Sequence, residues 1–273
     1  MSAFQIQKIS SFDAPGLQPY ATLRRPWEHQ QQGIFVAESD KVVRRLLESH
    51  FTVVSLLTDE KWLANFRPLL EARPELITVY LAEKQLLETL VGFQMFQGIL
   101  AVGKIPPPTT LDEILATSAR PLLLTAVDEM ANAENLGSLV RNCVAFGVHA
   151  LLVGETSSSP FLRRSVRNSM GTIFDLPVVE TASLVQSLRD LRKHGVRCIA
   201  AHPHVSGRTL AQADFTKDCC IVMGSEGKGI SPAVLEVCDE AAAIPMPPTV
   251  DSLNVGAAGA IFLYEASRQR GTI

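Results

Sequence analysis

Asn135 and Arg141 are polar side chains six residues apart, in the segment Asn-Leu-Gly-Ser-Leu-Val-Arg that leads into an apolar run. An asparagine at this point is typical of a helix N-cap, because its side-chain oxygen accepts backbone N–H groups of the first turn. Arg141 then falls about one and a half turns into the helix. By themselves these residues indicate a capped surface helix that carries a solvated cation.

A glycine-rich segment, Val222–Pro232, places Ser225, Glu226 and Lys228 among three glycines. Glycines this dense after an apolar run indicate a backbone that turns sharply or approaches a ligand closely. A P-loop would need glycine where this chain has Val222, and a dinucleotide fingerprint would need glycine where it has Pro232. The segment is therefore a ligand loop of another design or a tight connector.

A third polar segment, Ser252-Leu253-Asn254, follows a proline-rich stretch and precedes Val255–Ala260, which is almost entirely Gly and Ala. Small residues let another backbone or a flat ligand lie close to a helix. Tight packing of this helix on a sheet would produce the same pattern.

Alternating strands and helices are predicted around these three segments, which favours a parallel sheet covered on both faces. Ligands bind such sheets at the carboxyl ends of the strands, where these segments lie. The predicted strands are 122–127, 150–153, 196–200, 220–223 and 241–244, and the predicted helices are 136–146, 184–193, 232–237 and 255–268.

The first hundred residues predict a smaller α/β domain without a catalytic constellation. Its predicted strands are 33–37, 53–57, 76–81 and 98–102. A helix capped by Ser39 or Asp40 is predicted to end at Glu48, and further helices are predicted at 62–72 and 83–90. Three consecutive prolines at 106–108 favour an extended connector. We therefore expect an N-terminal domain at 1–105 with an ordered core from about residue 20, a linker at 106–118 and a second domain at 119–273.

Composition limits the class of protein. Forty-seven per cent of the residues are hydrophobic and the net charge is −3, which excludes a disordered chain and a generally basic nucleic-acid binder. Five cysteines without a Cys-x-x-Cys pair favour free thiols in a reducing compartment over disulfides or structural zinc. The sequence shows no signal peptide and no membrane-length apolar run, so we expect a soluble, cytoplasmic protein.

Together, the three segments resemble the signature motifs of the SpoU/TrmH class of SPOUT RNA methyltransferases. Arg167–Phe174 is similar to a fourth stretch of that family, Arg-Ala-Ser-Met-Gly-x-x-Phe, and the resemblance covers roughly residues 120–268. The segment Arg24-Arg25 followed by Gly33–Glu38 resembles the start of a substrate-binding domain related to kink-turn-binding ribosomal proteins. Ser39 stands where that domain usually has glycine.

The resemblance implies an α/β fold with a deep trefoil knot that holds S-adenosylmethionine in a bent shape. Glycines in the second and third motifs would provide the thin backbone that crossing loops need: Gly224, Gly227, Gly229, Gly256 and Gly259. The residues that would bind the cofactor are His202, Gly224, Ser225, Gly227, Ile244, Met246 and Leu253. No metal is expected, because the pair His202 and His204 has no carboxylate or Cys at ligand spacing.

The implied reaction is methyl transfer to a ribose 2′-hydroxyl of RNA, and the implied catalytic set is Asn135, Arg141, Glu226, Ser252 and Asn254. The family assigns activation of the hydroxyl to the first-motif Arg, here Arg141. Because arginine stays protonated in proteins, we interpret Arg141 as an electrostatic and positioning group for an alkoxide or a phosphate. Glu226 would orient it, while Ser252 and Asn254 would hold ribose or phosphate.

The resemblance also implies a homodimer in which the first-motif Arg serves the neighbouring subunit's site, with Val255–Ala266 at the interface. RNA contacts are expected from Arg24, Arg25, Arg163, Arg164 and Arg167, although the last three would equally suit a solvated helix face. Ribosomal RNA is the favoured substrate. The alternatives are a transfer-RNA 2′-O-methyltransferase, a base methyltransferase, or a non-catalytic RNA-binding or ribosome-assembly homologue.

Overall fold

Strands and helices alternate along the computed structural model, which describes residues 4–91, 98–203 and 208–272. Internal contacts divide the chain into two units. The N-terminal unit comprises Met1–Pro107 and Phe161–Phe174, and the C-terminal unit comprises Pro108–Pro160 and Asp175–Ile273. No described helix has the length and apolarity needed to cross a membrane.

The strands, in chain order, are β1 Phe4–Lys8, β2 Ile34–Glu38, β3 Val53–Thr58, β4 Ile77–Leu81, β5 Ile99–Lys104, β6 Leu123–Val127, β7 Ala150–Val153, β8 Val178–Glu180, β9 Arg197–Ala201, β10 Cys219–Met223 and β11 Glu240–Ala242. The α-helices are α1 Gln18–Ala21, α2 Pro26–Gln31, α3 Asp40–Glu48, α4 Glu60–Glu71, α5 Lys84–Val91, α6 Leu111–Thr117, α7 Ala133–Ala145, α8 Arg163–Asn168, α9 Leu184–Lys193, α10 Pro232–Val237 and α11 Val255–Arg270.

The N-terminal unit is built on a mixed sheet in the order β1-β4-β3-β5-β2. Strands β1, β3 and β4 run parallel, while β5 runs antiparallel to β2 and β3. We expected the ordered core to begin near residue 20, but β1 already pairs with β4 along its whole length. Only Phe4 of this edge strand is buried. The alternation of Phe4 and Ile6 with polar residues is nevertheless typical of a strand, and it was the signal that could have predicted β1.

A segment from the second half of the chain, Phe161–Phe174, belongs to the N-terminal unit, although we expected 119–273 to form one domain. Both of its end aromatics pack on Phe35 of β2, with ring centroids at 5.8 Å for Phe161 and 5.5 Å for Phe174. Phe51 closes the aromatic cluster. The Arg-Asn-Ser-Met-Gly stretch therefore leads to Phe174, which is buried in the core of the N-terminal unit.

Ser39 or Asp40 was expected to cap helix α3. The helix begins at Asp40 and Ser39 occupies the N-cap position, but its side chain makes no capping hydrogen bond. The backbone of Ser39 has φ 90° and ψ 154°, a conformation that is almost restricted to glycine. This conformation gives a physical reason for the glycine that related domains carry at this position.

The C-terminal unit is built on six parallel strands in the order β11-β9-β10-β6-β7-β8. On one face, α9 and α10 pack with alternate residues of the central strands, such as Leu124, Cys198 and Cys220, in one buried cluster. On the other, α7 packs against α11, and Gly259 of α11 approaches Met223 of β10. Both faces of the parallel sheet are covered, as predicted.

The proline-rich stretch predicted as a linker, 106–118, contains helix α6. A capping box starts this helix, because Thr110 and Glu113 bond reciprocally with each other's backbone N–H groups. Ile114 then packs in the buried cluster of the C-terminal unit. The Thr-x-x-Glu spacing is a known helix-start pattern, and it would have predicted α6 from the sequence.

Candidate active site

A pocket of about 410 Å³ lies at the carboxyl ends of β9, β10 and β11. Its size is typical of small-molecule and cofactor sites. One wall is apolar, formed by Ile244, Met246, Leu253 and Phe262, and the glycine-rich loop forms another. All seven positions expected to bind the cofactor line this pocket: His202, Gly224, Ser225, Gly227, Ile244, Met246 and Leu253.

The glycine-rich loop is closed by its own backbone. The N–H of Ser225 donates to the carbonyl of Gly229 at 2.9 Å, and the N–H of Gly229 donates back at 2.9 Å. Gly229 has φ +72°, and a Cβ on Gly224 would lie 2.1 Å from the Gly229 carbonyl carbon. The two glycines therefore allow the chain to fold back on itself, whereas no atom of the described residues lies within 4 Å of a Cβ on Gly227.

Asp128, which was not among the predicted site residues, anchors the far end of this loop. It is 6% exposed, directly follows β6, and its Oδ2 accepts the N–H of Ser231 at 2.7 Å. A buried carboxylate is costly unless it is hydrogen-bonded, and this bond ties the loop to the central strands. A charged residue directly after a predicted strand was the signal that could have identified it.

A chain of hydrogen bonds joins the three polar motifs beside the pocket. Asn254 is the N-cap of α11, and its Oδ1 accepts the N–H groups of Gly256 at 2.9 Å and Ala257 at 3.4 Å. Its Nδ2 donates to Oδ1 of Asn135 at 3.0 Å. The Nδ2 of Asn135 donates in turn to Oε1 of Glu226.

This chain has a fixed direction. Because the oxygen of Asn254 is committed to the helix N-terminus, only its amide nitrogen can face Asn135. Asn135 must then accept with its oxygen and donate with its nitrogen, and Glu226 must accept. The helix cap therefore determines how the carboxylate of Glu226 is held at the pocket wall.

Asn135 is not the helix cap that we predicted. Helix α7 begins at Ala133, and Asn132 caps it through bonds from the N–H groups of Glu134 at 2.8 Å and Asn135 at 3.1 Å. Asn135 lies in the first turn, which frees its side chain for Asn254 and Glu226. Asn132 also precedes the apolar run, so a capping preference alone did not distinguish the two asparagines.

Arg141 lies away from this set. Six residues along a helix correspond to about 240° of rotation, so Asn135 and Arg141 face different sides of α7. Ser138 and Asn142 face α11 with Asn135, since the side-chain amide of Asn142 donates to the Gly256 carbonyl at 2.7 Å. Arg141 is exposed, does not line the pocket and has no ion-pair or hydrogen-bond partner among the described residues. The expected pairing with Glu226 is not formed within this chain.

The arginines expected to bind RNA differ in their surroundings. Arg24 and Arg25 are exposed, and Nη1 of Arg25 pairs with Glu28 at 3.2 Å. Arg163 pairs with Glu38 of β2 and is largely buried, and Nη1 of Arg167 lies 3.5 Å from the same carboxylate. Within the N-terminal unit, Glu38 therefore neutralises part of the predicted cluster, while Arg164 is exposed.

No group of three His, Cys, Asp or Glu side chains in the described ranges is arranged to hold a metal. His202 lines the pocket, and His204 lies outside the described residues. The cysteines are free thiols, and burial raises the pKa of Cys143 and of Cys238 to about 12. Thiols this weakly acidic are not nucleophiles at neutral pH.

Comparison with known proteins places these features in a family. Residues 123–264 match the SpoU rRNA methylase family. An uncharacterised tRNA/rRNA methyltransferase of Mycobacterium tuberculosis (strain H37Rv) is 31% identical over 275 residues, covering 96% of this chain and 92% of the relative.

Solved structures extend the likeness to the whole chain. The SpoU methyltransferase AviRb from Streptomyces viridochromogenes, in complex with the cofactor AdoMet, matches with a TM-score of 0.78 and 27% identity over 94% of this chain and 98% of its own. An RNA 2′-O ribose methyltransferase matches with a TM-score of 0.77 and 27% identity over 97% and 99%. The polar motifs, the pocket that they border and these matches lead to one conclusion: the chain belongs to the SpoU rRNA methylase family of methyltransferases.

Proposed function

We propose that this protein transfers a methyl group from S-adenosylmethionine to a ribose 2′-hydroxyl of RNA, with ribosomal RNA as the favoured substrate. The observation that carries the proposal is the pocket at the carboxyl edge of the C-terminal sheet, bordered by the directed chain Asn254–Asn135–Glu226. Two similar proteins support it: one is solved with AdoMet, and the other is named an RNA 2′-O ribose methyltransferase.

The pocket suits the cofactor chemically. Ile244, Met246 and Leu253 offer an apolar wall for a purine ring, and the loop from Gly224 to Gly229 offers backbone donors and acceptors. Bound S-adenosylmethionine supplies a methyl group on a positively charged sulfur, which an oxygen nucleophile attacks. We also propose the knotted chain path that the family resemblance implies, which agrees with the close backbone approach at Gly224.

The polar residues position the nucleophile. A ribose hydroxyl is a poor nucleophile at neutral pH until its proton is accepted or its developing charge is stabilised. Arg141 supplies permanent positive charge for the alkoxide or an adjacent phosphate. Ser252 is exposed at the pocket wall and free to bond ribose or phosphate, while Asn135 and Asn254 hold Glu226 in place.

The active site is composite in this proposal, with Arg141 of one subunit serving the pocket of its partner. Arg141 points to a different side of α7 from Asn135. Helix α11, which packs against α7, carries Ile261 and Tyr264, which are 39% and 52% exposed. Two copies that bury this part of α11 would cover the apolar residues and bring a cation to each pocket. This explains why Arg141 has no partner among the described residues of its own chain.

The first experiment is transfer of labelled methyl groups from S-adenosylmethionine to separately prepared, unmodified ribosomal and transfer RNA. Alkaline hydrolysis then maps the label, because 2′-O-methylation blocks cleavage of the adjacent linkage. We expect label at resistant linkages of ribosomal RNA and its loss in Arg141→Ala. Arg189→Ala, an exposed arginine of α9, is the matched control and retains activity.

The outcomes separate the alternatives. Label on transfer RNA alone would identify a transfer-RNA enzyme, and label at alkali-sensitive linkages would identify a base methyltransferase. Cofactor binding without transfer to either RNA, or no cofactor binding at all, would favour a non-catalytic RNA-binding homologue.

A mixing experiment tests the composite site. Arg141→Ala is co-expressed with Ile244→Trp, a variant whose pocket is filled. Each is inactive alone, but a mixed dimer contains one intact site, so random pairing restores roughly a quarter of the wild-type activity. An inactive mixture would show that Arg141 serves its own chain.

A further inference from the structure

Trp27 is an exposed tryptophan in a polar neighbourhood of the N-terminal unit. Trp27 lies on the short helix α2 and is 57% exposed. Tryptophan is usually buried over most of its surface, and an exposed indole flanked by polar groups is typical of a binding site. The function proposed above gives Trp27 no role.

The face of α2 that carries Trp27 also carries two glutamines. Gln30 and Gln31 lie three and four residues after Trp27, which places them on the same side of the helix, and both are exposed. His29 on the opposite side is buried, and its Nε2 lies 3.1 Å from the hydroxyl of Thr22. The buried side of α2 is therefore anchored to the rest of the unit through His29, while the indole of Trp27 lies on the exposed side.

Positive charge adjoins this surface. Arg24 and Arg25 directly precede α2, and both are exposed. Arg25 shares its charge with Glu28, but Arg24 has no ion-pair partner among the described residues. Residues 21–25 also line a cleft of about 590 Å³ with Thr89 and Leu90 of α5. If a base stacked on the indole of Trp27, the adjoining phosphate of the RNA would lie close to Arg24 or Arg25.

We propose that the stacking surface, formed by Trp27, Gln30, Gln31 and Arg24, binds an unpaired base of the RNA substrate. The indole stacks on the base, the glutamine amides bond its edge, and the guanidinium contacts the phosphate. Aromatic stacking with adjacent cations is the usual way in which proteins hold single-stranded RNA. This inference rests on the proposed function, because it requires an RNA substrate.

The chemistry of the surface favours RNA over a protein partner. One isolated ring among glutamines and arginines offers the area of a single base, whereas a stable protein interface needs a contiguous patch with a buried core. The arginines complement a polyanion. Stacking on an unpaired base also agrees with the net charge of −3 for the whole chain, because it does not depend on a broad basic field.

Intrinsic fluorescence offers a direct test, since the chain has two tryptophans. In a Trp62→Phe background, Trp27 is the only fluorophore of its kind, and stacking of a base on the ring quenches its emission. The probe is an unstructured oligouridine, compared with a strand of the same length that lacks bases. We expect saturable quenching by the strand with bases and none by the abasic strand.

Affinity measurements complete the test. Trp27→Ala is expected to weaken oligouridine binding roughly tenfold or more, and Trp27→Phe to retain most of it. The matched control is Leu76→Ala, an apolar residue that is 62% exposed on the same unit, and it leaves binding unchanged. Circular dichroism establishes that each variant is folded.

Either of two results would overturn the inference: no saturable quenching by oligouridine, or equal affinity for wild type and Trp27→Ala. Methyl transfer by the wild type is measured separately. Transfer to RNA without quenching would reject the stacking surface and leave the proposed function intact. Quenching without transfer would support the stacking surface and count against the methyltransferase activity.

Discussion

Ser39 has a backbone conformation that side chains rarely adopt, with φ 90° between β2 and α3. Such a residue stores of the order of 1–3 kcal/mol of strain. The serine side chain makes no capping bond in return. The strain at this residue is therefore not offset by a local hydrogen bond at the start of α3.

Replacement of Ser39 by glycine is expected to stabilise the protein by about 1 kcal/mol, because relief of strain exceeds the extra entropy of the unfolded chain. Chemical denaturation of wild type and Ser39→Gly measures the difference. Ser39→Ala is the control and brings no gain, since alanine has the same steric conflict. If Ser39→Gly were less stable than wild type, the conclusion that the backbone of Ser39 is strained would be wrong.

Gly224 and Gly227 lie three residues apart in the same loop, yet they tolerate a side chain differently. We expect Gly224→Ala to lower the free energy of unfolding by about 1–3 kcal/mol and to abolish S-adenosylmethionine binding, because its Cβ overlaps the Gly229 backbone. A Cβ on Gly227 meets none of the described residues within 4 Å, so Gly227→Ala retains wild-type stability. Thermal denaturation and cofactor titration compare the two variants, and equal stability would disprove the close approach.

At the level of secondary structure, α11 packs against α7, and its N-cap residue orients the active site. Its first residue follows Asn254, whose two side-chain atoms have different tasks: the oxygen caps the helix and the nitrogen holds Asn135. Asp128 has a comparable role for the loop that precedes α10. In both cases the end of a secondary-structure element and a motif residue share one hydrogen-bond network.

The two tasks of Asn254 are separable by substitution. Asn254→Ala removes the cap and is expected to cost about 1 kcal/mol of stability, together with methyl transfer. Asn254→Asp keeps an acceptor for the cap but has no donor for Asn135, so stability is retained while the transfer rate falls roughly tenfold or more. Denaturation and single-turnover assays compare the variants. An Asn254→Asp protein with wild-type rate would show that the donor to Asn135 has no role.

For the whole molecule, stability depends on groups that the fold keeps in one charge state. Burial lowers the pKa of His29 below its ordinary 6.5, and the nearby Arg163 acts in the same direction, while the carbonyl of Pro19 and Glu28 oppose them. Hydrogen bonds from Arg268 and Gln269 lower the pKa of Glu265 to about 2. Both shifts make the unfolded chain bind protons more readily than the folded protein, so acid destabilises the fold.

The contribution of His29 is complete above pH 6.5 and is lost as the pH falls through the lowered pKa of the folded state. We therefore expect the free energy of unfolding to decrease between pH 7 and pH 5, and His29→Gln to make this decrease smaller. Urea denaturation at several pH values measures how steeply the free energy of unfolding depends on pH in wild type and in His29→Gln. Parallel pH profiles for wild type and His29→Gln would exclude His29 as a source of the dependence.

The sequence predicted much of both sheets because strand and helix periods are local properties. Leu184–Lys193 and Pro232–Val237 form the helices predicted, and most strands agree to within one or two residues. The family resemblance supplied the site positions around the pocket, since motif order does not depend on tertiary contacts. The elements that were not predicted, β1, β8, α1, α2, α6 and α8, are only three to seven residues long, which is too short to show a sustained hydrophobic period.

The α/β class, the family and the set of polar residues at the strand ends were all predictable from the amino-acid sequence. Which of these residues contact one another depends on the fold: Asn135 contacts Glu226 across 91 positions and Asn254 across 119, while Arg141 faces another side of α7. In the same way, Phe161–Phe174 packs in the N-terminal unit, and Arg163 forms an ion pair with Glu38. Such pairings join residues far apart in the chain, and burial and hydrogen bonding in the folded state select them, so no local pattern records them.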